Sequence, residues 1–178
     1  MTTQNIGEVK ELKPFAIFIA VFAGLGGILY GYDIGVISGA LIFMKDSLHL
    51  STAELSSIVG AVLGGGAIAT LITGSLADYY GRRTMINIAG GIFIVGVLIL
   101  VFANNYTVVM VGRLVQGVGV GVITIIIPLY LTEAAPSSIR GRSVTIFQLF
   151  LTGGILLAFV IDLLFIKTGN WRAMFACV

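Results

Sequence analysis

Two oppositely charged side chains, Asp33 and Arg113, lie deep inside long apolar stretches, and no other ionisable residue is predicted so deep. A charge at the centre of a membrane helix costs about 2.5–3.5 kcal/mol on insertion scales, so each needs a compensating interaction. At about 1.5 Å per residue, Asp33 is predicted about 15 Å, and Arg113 about 10 Å, from the outer membrane side. Because the depths are similar and the charges opposite, we expect the two side chains to pair.

Such a pair has two interpretations. It can be a static structural ion pair, which lets two charges share the membrane interior. It can also be a proton site, because desolvation favours the neutral form of a carboxylate whereas a nearby guanidinium favours its charged form. A conformational change that alters the distance between Asp33 and Arg113 would then load or release a proton. The second interpretation makes these two residues the candidates for proton coupling.

The surroundings of these residues indicate the class of protein. Of the 178 residues, 58% are hydrophobic and only 10% are charged, whereas soluble domains average about 25% charged residues. The mean hydropathy is +1.09, and apolar runs of about 20 residues, the length of a membrane-spanning helix, recur. The sequence therefore predicts an all-α integral membrane protein that has the lipid bilayer as a partner. The net charge of +2 is small and scattered, which argues against a nucleic-acid partner.

Polar residues and turn signals divide the chain into a cytoplasmic N-terminal segment, residues 1–14, and a transmembrane half-bundle, residues 15–178. Helices are predicted at about 15–43, 52–80, 84–102, 106–131 and 143–165, with a sixth starting at 171. Ser51 and Glu54 have the spacing of a capping box at the start of the second helix. The eight residues of the sixth helix would cover about 12 Å of a hydrocarbon core of about 30 Å. We therefore expect this helix to be truncated.

The distribution of Lys and Arg predicts the orientation in the membrane. Six of the ten lie in the N-terminal segment and in the loops between helices 2 and 3 and helices 4 and 5. Three lie on the opposite side, and Arg113 is intramembrane. Because positive residues favour the cytoplasmic side, we expect a multi-pass protein of the plasma membrane (the inner membrane in a bacterium) with its N-terminus in the cytoplasm.

Glycines recur at intervals of four residues, which predicts close helix packing. The first helix has such a stripe, and the second and fourth helices repeat the spacing. The members are Gly27, Gly31, Gly35 and Gly39, then Gly60 and Gly64, then Gly117 and Gly121. Because two residues rotate a helix by about 200°, Asp33 lies roughly opposite the first stripe. It can therefore face a cavity or the fourth helix while the glycines pack elsewhere.

A second group of charged residues lies on the predicted cytoplasmic side. It comprises Asp78, Gly81, Arg82 and Arg83 near the loop between helices 2 and 3, and Glu133, Arg140 and Arg142 near the loop between helices 4 and 5. One interpretation is interfacial anchoring and orientation by positive charge. The other is a conformational latch, a set of salt bridges that break when the protein changes state.

Enzymatic chemistry is not indicated. The single histidine, His49, and the single cysteine, Cys177, cannot form a metal-binding His/Cys cluster. The three consecutive glycines at 64–66 lie within a predicted helix and do not follow a strand, so they are no nucleotide-binding loop. We therefore expect neither an enzyme nor a bound cofactor or metal.

Several motifs together resemble the sugar porter family of the major facilitator superfamily. Residues 74–83, GSLADYYGRR, resemble the superfamily's loop between helices 2 and 3, although Tyr79 stands where many members carry Arg. Further stretches of the chain resemble motifs of the sugar porter family. They are GYDIGVISGA at 31–40, GRLVQGVGVG at 112–121, PLYLTE at 128–133 and APSSIRGR at 135–142. Trp171 and Arg172 also fit the start of the sixth helix in that family.

The resemblance implies a twelve-helix transporter of two six-helix halves, with this chain as the N-terminal half. Each half would contain two inverted three-helix repeats, in which helices 1 and 4 are equivalent. Bacterial sugar/proton symporters carry Asp at the position of Asp33, where glucose facilitators usually have a neutral residue. The resemblance therefore favours proton-coupled import of a hexose or pentose by alternating access. It also implies that Gln148 binds sugar, and that Ile155 lies at a substrate-binding position that is often Ile in hexose carriers.

Two alternatives remain open at this point. A facilitative sugar uniporter would keep Asp33 and Arg113 as a static pair. A truncated, non-transporting fragment or sensor would bind sugar or a partner without flux. Because the central cavity of this fold lies between the halves, a complete pathway would need the missing C-terminal half or self-association.

Overall fold

The computed structural model describes residues 3–136 and 139–177, with side chains in the first helix described from residue 21 onward except residue 23. Regular secondary structure in these residues is helical throughout. The helices are α1 (Thr3–Leu48), α2 (Thr52–Tyr80), α3 (Arg82–Val101), α4 (Tyr106–Ala134), α5 (Arg140–Phe165) and α6 (Trp171–Ala176). The first five each contain a segment long and apolar enough to cross a membrane, which in α1 is Gly24–Leu48.

The first helix is longer at both ends than the predicted range 15–43. It begins at Thr3, so the backbone of the polar segment is helical as well. It also continues past Lys45 and Asp46 to Leu48. Lys is a good helix former, and a charged residue near a membrane surface does not by itself end a helix. The break comes at His49, which has a positive φ of 53°.

The second helix begins with the predicted capping box. The Ser51 hydroxyl accepts a hydrogen bond from the Glu54 backbone N–H at 3.3 Å, and the Glu54 carboxylate accepts one from the Ser51 N–H at 2.8 Å. Both bonds satisfy backbone donors that have no partner within the helix. Together they let the chain reverse direction between α1 and α2 with only three residues, 49–51, outside the helices.

The six helices pack as two related sets of three. α1 packs along α5 and against α6, whereas α4 packs along α2 and α3. α1 and α4 also contact each other. Exchanging α1–α3 with α4–α6 turns the α1–α5 contact into the α4–α2 contact, and the α1–α6 contact into the α4–α3 contact. This is the pattern of the inverted repeat that the sequence motifs imply.

The repeat extends to individual contacts. On α1 and α4, glycines allow the backbone or a small side chain of a neighbouring helix to approach, and contacts with the same spacing occur on α5 and α2. The contacts are Gly31 to Leu151 and Gly35 to Ala158 in one pair, and Gly117 to Val62 and Gly121 to Ala69 in the other. A side chain at any of these glycines would overlap an atom of the neighbouring helix. Close approach of backbones is what drives helix association in lipid, where apolar surface alone gives no advantage.

The prediction for the glycines of α2 is wrong. A side-chain carbon at Gly60 or Gly64 would meet nothing within 4 Å. The contact with α4 is instead made by Gly65 and Gly66, which face Leu114 and Gly117. One residue rotates a helix by about 100°. Spacing alone therefore shows that small residues repeat, but it does not show which of three adjacent glycines faces the neighbour.

Polar contacts at the two ends of the bundle show that successive loops alternate between its two sides. At one end, the Trp171 indole N–H donates to the Ser47 hydroxyl at 2.9 Å, and Arg172 Nη2 donates to the Ala103 carbonyl at 2.6 Å. These contacts join the last turn of α1, the α3–α4 loop and the start of α6. At the other end, Arg82 joins the α2–α3 turn to the end of α4.

Candidate functional site

The predicted pair between α1 and α4 is present. Arg113 Nη1 donates a hydrogen bond to Asp33 Oδ1 at 3.0 Å, which is also a salt bridge. Asp33 is 1% exposed and Arg113 is 2% exposed. The pair is thus enclosed within this group of helices. A charge removed from water in this way is tolerated only when it is paired and hydrogen-bonded.

Helix rotation positions the carboxylate. Gly31 and Gly35 face α5, so Asp33, two residues from each, turns toward α4. Two apolar clusters lie on either side of the pair along α4. One includes Val109, about one turn before Arg113, and the other includes Val122, two to three turns beyond Arg113. The pair therefore occupies a polar layer between two apolar layers.

Gln116 completes this polar layer. Its side-chain oxygen Oε1 accepts a hydrogen bond from Arg113 Nη1 at 2.7 Å, so the same nitrogen serves both Gln116 and Asp33. Gln116 is fully buried. Its Nε2 and the Nε of Arg113 are buried and have no hydrogen-bond partner among the described residues. The sequence analysis assigned Gln116 no role.

The first turns of α6 cover the pair on another side. The Phe175 ring centroid lies 5.3 Å from the Arg113 guanidinium carbon, within range of a cation–π interaction. The Tyr32 hydroxyl, next to Asp33 in sequence, donates to the Met174 carbonyl at 2.8 Å. Phe175 and Met174 are both fully buried. α6 thereby separates the pair from the surface.

The structure brings together three of the charged residues assigned to the latch. Arg82 Nη1 donates to Asp78 Oδ1 at 2.6 Å, while its Nε and Nη2 donate to the two Glu133 oxygens at 3.2 and 3.1 Å. Gly81 allows the tight α2–α3 turn, since its φ of 83° is unfavourable for residues with a side chain. Tyr79, which stands where many superfamily members carry Arg, is 82% exposed and stacks edge-on with Tyr80.

The other predicted latch residues are not drawn into this network. Arg83, Arg140 and Arg142 are exposed, and none of them forms a salt bridge with another residue in the described part of the chain. Arg140 and Arg142 lie in the first turn of α5, just after residues 137 and 138, which lie outside the described residues. Their exposed charges are compatible with the anchoring interpretation.

The residues proposed to bind sugar lie on one face of α5. Gln148 is exposed and Ile155 is partly buried against the cluster that contains Leu151. They are separated by seven residues, about two helical turns, so they share a face. The carbonyl of Ile155 lies 3.0 Å from the place a side chain at Gly35 would occupy. α1 is thus the element that contacts both this part of α5 and, through Asp33, α4.

A third ionisable residue of the spans, Asp162, was missed by the sequence reasoning. Its Oδ2 accepts a hydrogen bond from the Gly39 N–H at 3.1 Å, and its Oδ1 is buried without a partner among the described residues. It borders a largely apolar groove of about 480 Å³ between α1 and α5, with Phe43 and Phe159 among the lining residues. The available signal was an Asp in an apolar run, opposite the last glycine of the α1 stripe.

Comparisons with known proteins extend these observations. A family profile described as sugar (and other) transporter matches residues 19–178. The proton myo-inositol cotransporter of Homo sapiens is 40% identical over 169 residues, which cover 94% of this chain and 26% of that protein. Inositol transporter 4 of Arabidopsis thaliana is 41% identical over 165 residues, covering 90% of this chain and 28% of that protein. The chain thus spans less than a third of the length of these two relatives.

Solved structures show the same relation at the level of the fold. The xylose transporter XylE from E. coli, in an inward-open conformation, superposes with a TM-score of 0.81 at 27% identity, over 90% of this chain and 44% of that one. A crystal structure of a D-xylose-proton symporter gives a TM-score of 0.79 at 28% identity, over 90% and 45%. The six helices match the first half of a twelve-helix fold. The chain therefore belongs to the sugar transporter family of the major facilitator superfamily, as an integral, multi-pass membrane protein.

Proposed function

We propose that the transporter of which this chain is the first half imports a small polyhydroxylated solute together with a proton, by alternating access. The observation that carries the proposal is the buried Asp33–Arg113 pair, with its carboxylate on α1 and its guanidinium on α4. A carboxylate can be neutralised by a proton, whereas a guanidinium remains charged in proteins. Protonation of Asp33 would therefore weaken the link between two helices that belong to different repeats.

The geometry supports a route from the proton site to the solute site. Asp33 lies between Gly31 and Gly35, whose backbones are in direct contact with Leu151 and Ile155 on α5. Gln148 and Ile155, on the same helix, are the proposed solute-binding residues. A shift of α1 that follows protonation would consequently move the surface against which α5 packs. This tight contact gives the two sites a mechanical connection.

The solute is proposed to be a hexose, a pentose or a related polyol. The resemblance in motifs favours a monosaccharide. Relatives named for inositol and polyol transport, and structures of xylose transporters, widen the class to compounds with several adjacent hydroxyl groups. An amide such as that of Gln148 can both donate to and accept from a hydroxyl, which suits this chemistry.

The deciding experiment compares the transporter with its Asp33→Asn variant in liposomes under an inward proton gradient and a membrane potential. One proton moving through 100 mV contributes about 2.3 kcal/mol, which supports roughly 40-fold accumulation of the solute. We expect the variant to lose accumulation but to keep exchange of labelled solute, because Asn can still accept from Arg113 but cannot carry a proton. If the variant still accumulates the solute against its gradient, the assignment of Asp33 as the proton site is wrong.

Facilitated transport is a second candidate, favoured by the near-complete burial of both charges in this state. A sealed pair of this kind can be a static structural element. This alternative predicts that adding solute to a lightly buffered suspension produces no alkalinisation of the medium. It also predicts that wild type and Asp33→Asn equilibrate the solute to the same final level.

A further inference from the structure

We propose that Gln116 is a positioning residue for the proton site. Its amide oxygen would hold the Arg113 guanidinium in place while the Asp33 carboxylate binds and releases its proton. This inference deepens the proposed function, and it rests on the assignment of Asp33 as the proton site.

The two acceptors of Arg113 differ in how they are connected to it. Gln116 lies three residues further along the same helix, so its distance to Arg113 is set by α4 alone. Asp33 lies on α1, so its distance to Arg113 changes whenever α1 moves relative to α4. Arg113 Nη1 donates to Gln116 at 2.7 Å and to Asp33 at 3.0 Å. Gln116 is thus the partner that stays when the other is lost.

The orientation of the Gln116 amide follows from chemistry. A guanidinium has only donors, so the atom that faces Arg113 must be the amide oxygen. α3 packs directly behind this residue, because a side-chain carbon at Gly96 would lie 2.7 Å from the Gln116 backbone nitrogen and 2.9 Å from its Cβ. The close approach of α3 restricts where the Gln116 side chain can point.

The other polar and charged groups on the helices packed against α1 form their hydrogen bonds away from Arg113. On α1, the Tyr32 hydroxyl donates to the Met174 carbonyl. On α5, Asp162 accepts from the Gly39 N–H through Oδ2, while its Oδ1 has no partner among the described residues. On α6, Arg172 donates to the Ala103 carbonyl, and Phe175 offers only a ring face to Arg113. A protonated Asp33 offers Arg113 only a neutral carbonyl oxygen in place of a carboxylate, so Arg113 then depends more on the Gln116 oxygen, which α4 holds at 2.7 Å.

The hydrogen bond from Arg113 to Gln116 should stabilise the protonated state of Asp33 more than its charged state. An unpaired buried guanidinium costs more free energy than the loss of one amide hydrogen bond. Removing the amide oxygen should therefore destabilise the protonated state, in which Asp33 offers Arg113 only a neutral carbonyl oxygen, more than the charged state, in which the Asp33 carboxylate holds Arg113. A variant without this acceptor should need a more acidic medium to bind the proton.

The test is a pH titration of the 178-residue chain in lipid nanodiscs, followed by the infrared carbonyl stretch of the protonated carboxyl group. The band that disappears in Asp33→Asn reports the proton site. In Gln116→Met, which has similar length but no amide oxygen, we expect the midpoint to move to lower pH by about one unit or more, a tenfold weaker proton affinity. In Gln116→Glu, the introduced carboxylate pairs permanently with Arg113, so we expect the midpoint to move to higher pH.

The matched control is Thr124→Val, also on α4. The Thr124 hydroxyl donates to the Val120 carbonyl of its own helix and does not touch the pair, so its loss should leave the midpoint unchanged. Circular dichroism checks that each variant is folded. An unmoved midpoint in Gln116→Met, or shifts of the same sign in both Gln116 variants, would overturn the inference alone. A wild-type chain with no Asp33-dependent band would overturn the proton-site assignment and the inference with it.

Discussion

At the residue scale, Asp33 and Arg113 differ in how each can leave its charged state. A buried carboxyl group can become neutral by binding a proton, whereas a buried guanidinium cannot lose one. The two members of the pair are therefore not equivalent, although their burial is almost the same. When one member of the pair is removed by mutation, the identity of the remaining residue therefore decides whether an uncompensated charge stays inside the bundle.

This asymmetry predicts different stabilities for the two truncations of the pair. Asp33→Leu leaves Arg113 charged and should lower the free energy of unfolding by about 3–5 kcal/mol, the range for breaking a buried pair. Arg113→Met should cost less, because Asp33 can bind a proton. Titration of the purified chain in mixed micelles with a denaturing detergent, followed by circular dichroism, measures both. A larger loss in Arg113→Met than in Asp33→Leu would contradict the argument.

The double variant is the control for this comparison. Asp33→Leu with Arg113→Met removes both charges and leaves an apolar contact of similar volume. It should be more stable than Asp33→Leu alone, because replacing a whole buried pair by apolar residues is often neutral.

At the element scale, the structure separates two kinds of helix contact. The glycine contacts along α1–α5 and α2–α4 are long and bring backbones together. The contact made by Arg82 lies at one end of the bundle and is polar and exposed. Only the second kind can break without opening the apolar core, which suits it to a latch between conformational states.

The latch proposal predicts a local effect of Arg82→Ala. Because the ion pairs are exposed, the free energy of unfolding should hardly change. Hydrogen–deuterium exchange should nevertheless accelerate at the α2–α3 turn and at the last turn of α4, which Arg82 joins through Asp78 and Glu133. Arg83→Ala is the matched control, since Arg83 is exposed and has no salt bridge in the described structure. Equal exchange in the two variants would refute the latch.

Element positions were largely accessible from the sequence, and helix rotations were not. Apolar runs and the capping box at Ser51 placed the start of α2 at the residue where the structure has it. Spacing also marked Gly31 and Gly35 correctly as contact residues, yet it selected Gly60 and Gly64 in place of Gly65 and Gly66. The sequence pattern around the three consecutive glycines at 64–66 does not distinguish which of them faces a neighbouring helix. The face that packs is selected by α4, which lies about 50 residues away in sequence.

At the scale of the whole molecule, the alternating ends of the bundle divide its loops into two sets. Asp78, Arg82 and Glu133 lie at one end, and Ser47, Ala103 and Arg172 at the other. The excess of Lys and Arg in the first set predicts that this end is cytoplasmic. The orientation determines whether the proposed proton-coupled transport would carry the solute into the cell or out of it.

Cysteine labelling of cells tests this orientation. In a Cys177→Ser background, Asn104→Cys in the α3–α4 loop should react with a membrane-impermeant maleimide added outside. Arg83→Cys at the other end should react only after the membrane is permeabilised. Both positions are exposed, so access to reagent differs only by the side of the membrane. The reverse pattern of labelling would show that the N-terminus is outside.

The sequence by itself determined the class of protein, its spans and the need for a partner for each intramembrane charge. These properties follow from local composition, because the cost of placing a peptide segment or a charge in lipid depends on that segment alone. The match of charge and depth was enough to predict that Asp33 and Arg113 pair. The family motifs added the inverted repeat, which the helix contacts reproduce.

Only the tertiary structure decided which groups share the charge of Arg113. It placed Gln116 on the same nitrogen as Asp33, set Phe175 over the guanidinium, and brought Asp162 to the backbone of Gly39. These contacts depend on the rotation and approach of helices from distant parts of the chain. Such rotations are set by backbone packing at particular glycines, where a change of one residue turns a side chain by about 100°.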